Sequence, residues 1–210
     1  MNKGILIVIS GFSGAGKGTI VNKLLQTYDN YALSVSMTTR SPREGEKEGV
    51  AYFFTDRERF EEKIRQEGFI EYAEYCGNYY GTPRAYVEEQ LQAGRNVILE
   101  IEIQGALKVK ERFPESLLLF VTPPSAGELQ RRLVGRGTET PQVIQKRLAR
   151  ASEESEGVEA YDYIVVNDEL DACVEEIHRL VDAARRAPVR RKEFIKEIRE
   201  ELKQFAKGAE

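Results

Sequence analysis

Short apolar runs alternate with segments of helical periodicity along most of the chain. The runs are rich in β-branched residues and leucine and predict buried strands at 5–9, 97–103, 117–121 and 163–166. In the segments between them the apolar residues recur every three to four positions. The clearest helix follows Asp168, where the expected buried face is Leu170, Cys173 or Val174, Ile177, Leu180 and Val181. Strands that alternate with helices predict an α/β fold with a parallel sheet wrapped on both faces.

Four helix starts are indicated by capping patterns. Thr55 with Glu58 and Ser125 with Glu128 have the spacing of a capping box. Thr82-Pro83 and Thr140-Pro141 each place a capping hydroxyl before a first-turn proline. We therefore expect helices to begin after Thr55, Thr82, Ser125 and Thr140.

One stretch interrupts the alternation and is predicted to form a separate lobe. A short strand is expected at 33–36, just before this stretch, and strands within it at 50–54, 69–75 and 79–82, the last two paired across a turn at Gly77-Asn78. The predicted organisation is a nucleotide-binding core at 1–36 and 83–188, a lobe at 37–82, a lid at about 126–157 and a charged C-terminal helix at 189–210.

Composition narrows the class of protein. The 210 residues carry a net charge of −4 with both signs interspersed, so a nucleic-acid-binding surface is not expected. The sequence has no apolar run of bilayer-spanning length and no signal-peptide pattern, and Cys76 and Cys173 lack metal-ligand spacing. We expect a cytoplasmic protein that does not bind membranes, whose oligomeric state the sequence leaves open. His178 is expected on the polar, solvent-facing side of its helix.

The candidate chemistry begins at a glycine-rich loop between the first strand and the first helix. It reads Gly11-Phe12-Ser13-Gly14-Ala15-Gly16-Lys17-Gly18-Thr19. Glycines let backbone N–H groups approach phosphate oxygens, the following helix adds its positive dipole end, and Lys17 adds a full charge. A hydroxyl that could meet Mg²⁺ usually follows the lysine directly, but here that position is Gly18 and Thr19 comes one residue later. The loop predicts binding of ATP or GTP phosphates, with Thr19 as the candidate metal ligand.

A second group of polar residues follows in the lobe. Arg40 and Arg43 are three residues apart beside Pro42, a spacing suited to a phosphate but also found in solvated turns. Tyr52, Glu71 and the segment Gly77-Asn78-Tyr79-Tyr80-Gly81-Thr82 follow, although aromatic clusters are often simply core.

Taken in order, these motifs resemble the guanylate kinase family from the first strand to about residue 184. Beyond the loop, the segments that carry the resemblance are 34–43, 69–72, 77–82, Leu99 to Gly105, Gly135 to Thr140 and Val165 to Asp168. The resemblance implies a P-loop NTPase-type fold and transfer of the γ-phosphate of ATP to GMP with Mg²⁺, a step of purine nucleotide metabolism.

The resemblance also implies roles for individual residues. Arg40, Arg43, Tyr52 and Tyr80 match positions that hold the GMP phosphate, and Ser36, Glu71 and Thr82 match positions that contact guanine. Glu102 matches an acidic position near the guanine and the catalytic centre. Lys17, Arg132, Arg136 and Arg147 match positions around the transferred phosphoryl group, and Asn167 matches one near adenine.

The chemistry of guanine agrees with Glu71 as its reader. Guanine presents N1–H and N2–H₂ donors on one edge, and one carboxylate accepts both. Adenine lacks this donor pair, and a site built for a hydrogen-bonding group can reject the analogue without it by roughly 10⁴-fold.

The carboxylates Glu100 and Glu102 admit two interpretations. As i, i+2 neighbours in the predicted strand they would share one sheet face, either near the substrates or paired with nearby arginines. Glu102 is one methylene longer than the usual Asp, and Ile103 stands where many bacterial members carry Trp. Arg131 and Arg150 of the charged lid run are expected to be solvated.

Two other functions remain open at this point. One is a non-catalytic interaction module related to guanylate kinase, although such modules usually have degraded phosphate loops and this chain keeps Lys17 and Thr19. The other is a sugar-phosphate kinase, which would be expected to lack the pattern of Glu71 and Tyr80.

Overall fold

The computed structural model describes residues 3–75, 77–135, 137 and 140–207. The strands in these residues are β1 (Leu6–Gly11), β2 (Tyr31–Leu33), β3 (Met37–Thr38), β4 (Phe53–Phe54), β5 (Phe69–Tyr75), β6 (Asn78–Pro83), β7 (Asn96–Glu100), β8 (Leu117–Thr122) and β9 (Tyr163–Val166). The helices are α1 (Lys17–Thr27), α2 (Arg57–Arg65), α3 (Arg84–Gln92), α4 (Ile103–Arg112), α5 (Ala126–Gly135), α6 (Pro141–Ser155), α7 (Leu170–Arg185) and α8 (Lys192–Lys207).

Five strands form a parallel sheet in the order β2-β7-β1-β8-β9. Its central strand β1 pairs with both neighbours, so that Val8 lies between Leu99 and Leu118. Because the strand order reverses direction beside β1, the residues that follow β1 open into a crevice at the carboxyl edge of the sheet. The predicted α/β fold with a parallel sheet is confirmed.

Alternate side chains of the sheet are buried under helices on opposite faces. Ile7 and Ile9 pack with α1 and α7, whereas Leu6 and Val8 pack with α3 and α4. A strand covered on both faces must be apolar at every position, which is why β1 reads as a continuous apolar run.

A second sheet has the order β4-β3-β6-β5 and falls in the stretch assigned to the lobe. β6 is antiparallel to both β3 and β5, and β3 is parallel to β4. Phe60 of α2 stacks on Phe69 and Tyr79, with ring centroids 4.4 and 5.1 Å away. Gly81 is needed beneath this stack, because a Cβ there would lie 2.9 Å from Phe69. The lobe boundary at 37–82 stays a prediction.

Two of the four predicted helix starts are correct. The Thr140 side chain caps α6 by accepting from the Val143 N–H, and the Ser125 hydroxyl accepts from the Glu128 N–H at 3.1 Å. The other two were wrong. Asp56 rather than Thr55 caps α2, with its carboxylate 2.8 Å from the Arg59 nitrogen. Thr82 lies inside β6.

Three further expectations from the sequence need correction. The strand predicted at 33–36 is β2, which ends at Leu33, and the strand predicted at 97–103 ends at Glu100. His178 is half-buried rather than on the surface, because its ring stacks on Tyr28 at 3.7 Å and shares a 2.9 Å hydrogen bond with the Tyr31 hydroxyl.

Among the described helices, none combines the length and apolarity needed to cross a bilayer.

Candidate functional site

The glycine-rich loop connects the carboxyl end of β1 to the first turn of α1. Gly14 and Gly16 have positive φ angles of 98° and 94°, which other residues adopt only with strain. Gly16 is also crowded, because a Cβ there would lie 2.5 Å from the Asn167 amide nitrogen. It occupies the N-cap of α1 without a side-chain cap, so the first N–H groups of the helix point into the crevice. This is an anion-binding geometry.

Lys17 is held against the loop that precedes it. Its ammonium group donates to the carbonyl oxygens of Gly11 at 2.6 Å and Phe12 at 3.2 Å. The cation therefore lies against the start of the loop, at the carboxyl end of β1. Thr19 is exposed on the first turn of α1.

Three more of the predicted residues converge on the same loop. Asn167, which is buried, donates its side-chain amide to the Ala15 carbonyl at 2.7 Å. Arg132 of α5 donates to the Asn167 carbonyl at 2.9 Å and to Glu128 at 2.6 Å. Arg147 of α6 donates to the Ser13 hydroxyl, so α6 contacts the loop. Arg136 lies outside the described residues.

The arginine pair of the lobe is organised around a carboxylate that sequence reasoning missed. Both oxygens of Glu46 accept from Arg40, at 2.8 and 2.9 Å, and one of them also accepts from the Arg43 backbone N–H at 2.8 Å. The hydrogen bond from Arg40 is the main reason that the pKa of Glu46 is lowered. An acidic residue three positions after Arg43 was the only available signal, and a single glutamate in a charged turn is a weak one.

Two tyrosines complete this region. The Arg40 guanidinium lies 5.4 Å from the centre of the Tyr52 ring, and the Tyr52 and Tyr80 rings are 6.0 Å apart. The side chain of Arg43 is exposed. Arg40, Tyr52 and Tyr80 thus lie together, and their role at a phosphate stays a prediction.

Glu71 and Thr82 form a buried polar pair on neighbouring strands. Glu71 is only 6% exposed, and the Thr82 hydroxyl donates to one of its oxygens at 2.8 Å. Burial raises the pKa of the Glu71 carboxyl, and the hydrogen bond from Thr82 offsets part of the shift. The other oxygen faces Gly105 of α4, where a Cβ would lie 3.2 Å away. Ser36 is half-buried just before β3.

Glu100, the last residue of β7, and Glu102 do not share one sheet face, contrary to the expectation from the sequence. Glu102 has left the strand to become the N-cap residue of α4, and its exposed side chain pairs with Arg150 at 2.9 Å. Arg150, expected to be solvated, binds Glu102 and Glu154. For Glu102 the structure therefore shows the arginine-paired arrangement.

Glu100 is the carboxylate that faces the loop. A Cβ on Gly18 would lie 3.9 Å from a Glu100 oxygen. The protein around Glu100 raises the pKa of its carboxyl by desolvation, against the opposing effect of Lys17. Within the described ranges, there is no cluster of three or more His, Cys, Asp and Glu side chains arranged to hold a metal ion.

Comparison with known proteins agrees with this geometry. The family model described as guanylate kinase matches residues 3–184. A guanylate kinase of Desulfitobacterium hafniense is 52% identical over 194 residues, which cover 92% of this chain and 96% of that protein. One of Bacillus cereus is 51% identical over 201 residues, covering 95% and 98% of the two chains. The crystal structure of guanylate kinase from Anaplasma phagocytophilum superimposes with a TM-score of 0.72 at 37% identity, covering 90% of each chain.

Proposed function

Because the chain belongs to the guanylate kinase family and is thus a nucleoside monophosphate kinase, we propose that it transfers the γ-phosphate of ATP to GMP. The observation that carries this proposal is the buried pair of Glu71 and Thr82, in a chain that also has a glycine-rich loop of anion-binding geometry. The loop is suited to the phosphates of a nucleoside triphosphate, and the buried carboxylate of Glu71 is suited to guanine. The two halves of the crevice would therefore divide the two substrates between them.

On the ATP side, we propose that the N–H groups of residues 11–19 and the ammonium of Lys17 hold the β- and γ-phosphates. An oxygen of the GMP phosphate attacks the γ-phosphorus, and the bond to the departing ADP oxygen breaks. Because charge is spread over the equatorial oxygens, such a transfer depends on positioning and on nearby cations. We propose that Lys17, Arg132 and Arg147 supply them, a role supported by their contacts at the loop and at Asn167, and that Arg136 joins them.

Asn167 is proposed to act near adenine and also to brace the loop. Its hydrogen bond to the Ala15 carbonyl fixes the turn that aims the loop amides. Since Arg132 binds the carbonyl of the same residue, a lid helix and the loop are joined through Asn167.

On the GMP side, we propose that Arg40, Arg43, Tyr52 and Tyr80 hold the phosphate. Glu46 now accepts the hydrogen bonds of Arg40 that a phosphate would accept, so the incoming dianion exchanges one anionic partner of Arg40 for another.

We propose that guanine is read by Glu71, Thr82 and Ser36. One Glu71 oxygen is occupied by Thr82, and the carboxylate keeps acceptor capacity for the guanine N1–H and N2–H₂ groups. The glycine at position 105 lets α4 approach this carboxylate closely, because a Cβ there would lie 3.2 Å from its second oxygen. Glu102 is proposed to act at the edge of this site, where it now holds Arg150.

Mg²⁺ is proposed to accompany ATP. This ion usually keeps several waters and binds through one or two carboxylates together with substrate phosphates, rather than in an all-protein cage. Glu100 and Thr19 lie beside the loop and would fit this pattern, with Glu100 better placed than Glu102. The bound ion would neutralise phosphate charge.

A coupled assay that measures ADP release tests the proposal. With ATP as donor we expect rapid turnover with GMP and little with AMP, UMP or a sugar phosphate. Turnover restricted to a sugar phosphate, or binding of GMP without any turnover, would contradict it. The second outcome would instead indicate the non-catalytic interaction module.

A further inference from the structure

Helix α8 carries an apolar stripe that the proposed reaction does not use. Phe194, Ile198, Leu202 and Phe205 are 54%, 40%, 61% and 78% exposed. At 100° per residue these four side chains and Ile195 fall within an arc of about 100°. A continuous apolar stripe on an exposed helix marks an interaction surface.

The first turn of α8 is fixed to the body of the protein, whereas the stripe is not buried in it. Lys192 forms a 2.9 Å ion pair with Glu115, and Arg190 donates to the Glu115 carbonyl oxygen. Among the described residues, the three buried apolar clusters include no residue of α8. The helix therefore presents its stripe outward from a defined base.

The spacing of the stripe is that of a coiled-coil seam. Ile195, Ile198, Leu202 and Phe205 are separated by three, four and three residues, which are the a, d, a and d positions of two heptads. Such a seam is shaped to receive another helix of the same kind.

Charge argues for a second copy of this helix rather than a lipid surface. Residues 192–207 carry five basic and four acidic side chains, a net charge of only +1, whereas helices that bind anionic lipid are rich in Lys and Arg. The acidic and basic side chains of α8 also lie on opposite sides of the stripe. Glu197 and Glu201 flank the stripe on one side, and Arg199 and Lys203 follow it on the other. Parallel pairing of two copies places the acidic flank of each beside the basic flank of the other, and antiparallel pairing places like charges together.

We propose that α8 is a homodimerisation helix, which pairs in parallel with α8 of a second copy of this chain about a two-fold axis. Glu115, where α8 is anchored, precedes β8 and so lies at the amino edge of the parallel sheet. The phosphate loop follows β1 at the carboxyl edge. Dimerisation through α8 therefore leaves both crevices open. A seam of two heptads is smaller than a standard interface of about 800 Å² per partner, so the dimer should dissociate on dilution.

The test is the mass of the full chain between about 1 and 200 µM, by sedimentation and by light scattering. We expect the mass to rise from monomer to dimer for the native protein and for Gln204→Glu, which adds a negative charge away from the seam. Leu202→Glu and Ile198→Glu should raise the dissociation constant at least tenfold, with the same circular dichroism and the same turnover at nanomolar enzyme. A native chain that stays monomeric at 200 µM, or a dimer that survives both seam variants, overturns the proposal.

Two further experiments test whether the two α8 helices pair in parallel and whether the stripe binds a membrane instead. Phe205→Cys at a d position should form an intermolecular disulfide on mild oxidation, since d positions face each other only in a parallel pair, and the native chain is the control. Absence of this cross-link in a dimeric sample refutes the parallel arrangement. Monomers that sediment with phosphatidylglycerol vesicles would assign the stripe to a membrane surface and refute the dimer.

Discussion

Replacing Glu71 by Gln tests how the site distinguishes GMP from AMP. The two side chains have nearly the same shape, so the buried pair with Thr82 can keep its 2.8 Å hydrogen bond. The amide, however, offers one acceptor and a donor where guanine presents two donors. Loss of one charge-assisted hydrogen bond costs about 1.5–3 kcal/mol, which is roughly a 10- to 150-fold loss in kcat/KM for GMP. Rejection of AMP should fall from roughly 10⁴-fold to 10²- to 10³-fold.

The assay is ADP release with GMP or AMP as the varied substrate. Glu74→Gln is the matched control, because Glu74 lies on the same strand but is exposed and pairs with Arg57. We expect the control to change neither substrate's kcat/KM by more than about twofold, since exposed ion pairs contribute little. Equal discrimination by native enzyme and Glu71→Gln would show that guanine is not read by this carboxylate.

In the absence of substrate, Glu71→Gln should also change how the free energy of unfolding depends on pH. Because burial raises the pKa of Glu71, the folded state binds its proton more tightly than the unfolded chain does. The stability that this proton contributes is fully present below the unfolded pKa and is lost as pH rises through the folded pKa. Glu71→Gln should therefore be more stable than the native protein at pH 8 and lose that advantage near pH 4, by urea unfolding. An advantage that does not change with pH would refute the explanation from burial.

Three further substitutions test the ATP half of the crevice. Lys17→Ala should reduce kcat by at least about 10²-fold while GMP affinity by calorimetry stays within twofold, and loss of GMP affinity with normal turnover would contradict its assignment. Asn167→Ala should raise KM for ATP by roughly 5- to 100-fold, since it removes the buried donor to Ala15, whereas an effect confined to GMP would place it elsewhere. Arg150→Gln breaks partly exposed ion pairs with Glu102 and Glu154 and should lower the free energy of unfolding by less than about 1 kcal/mol, and a larger loss would mean that Arg150 anchors α6 more firmly than surface ion pairs do.

The parts of the fold that sequence predicted are those governed by local pattern. β1 is apolar at every position because helices cover both of its faces, and this run is recognisable without any knowledge of the neighbours. Thr140 before Pro141 fixes the start of α6 by chemistry within four residues. Thr55 was wrong for the same kind of reason, because the adjacent Asp56 is an equally good cap and only the path of the chain selects it.

The end of β7 shows where local pattern fails. Leu99, Glu100, Ile101, Glu102 and Ile103 alternate as a half-buried strand would, so periodicity predicts that the strand continues. The structure instead ends β7 at Glu100, opposite Ile9, although β1 itself continues to Gly11 beside β8. Past that point the chain turns into α4, and the second glutamate leaves the sheet.

Most features of the site that the motifs did not predict are contacts between segments far apart in the sequence. The bond from Asn167 to Ala15 joins residues 152 positions apart, and the ring stack of Tyr28 on His178 depends on how α1 and α7 pack. Nothing in the local sequence around Asn167 or His178 predicts these partners. The resemblance placed Asn167 in the site, but only the packed structure gives it a second task at the loop.

The absence of a side chain at Gly18 can be interpreted only together with the position of Glu100. Gly18 is the place where a metal-binding hydroxyl is usually found, and its lack of a side chain weakens the motif when the sequence is considered alone. Its backbone does not need a glycine, because its φ is not positive and a Cβ would meet nothing closer than Glu100, at 3.9 Å. The missing side chain therefore leaves open space between the loop and a carboxylate, with Lys17 nearby. If Mg²⁺ accompanies ATP as proposed, Glu100 would be the carboxylate beside the loop that could help to hold it where the usual hydroxyl is missing, and the ion would supply neutralisation of phosphate charge.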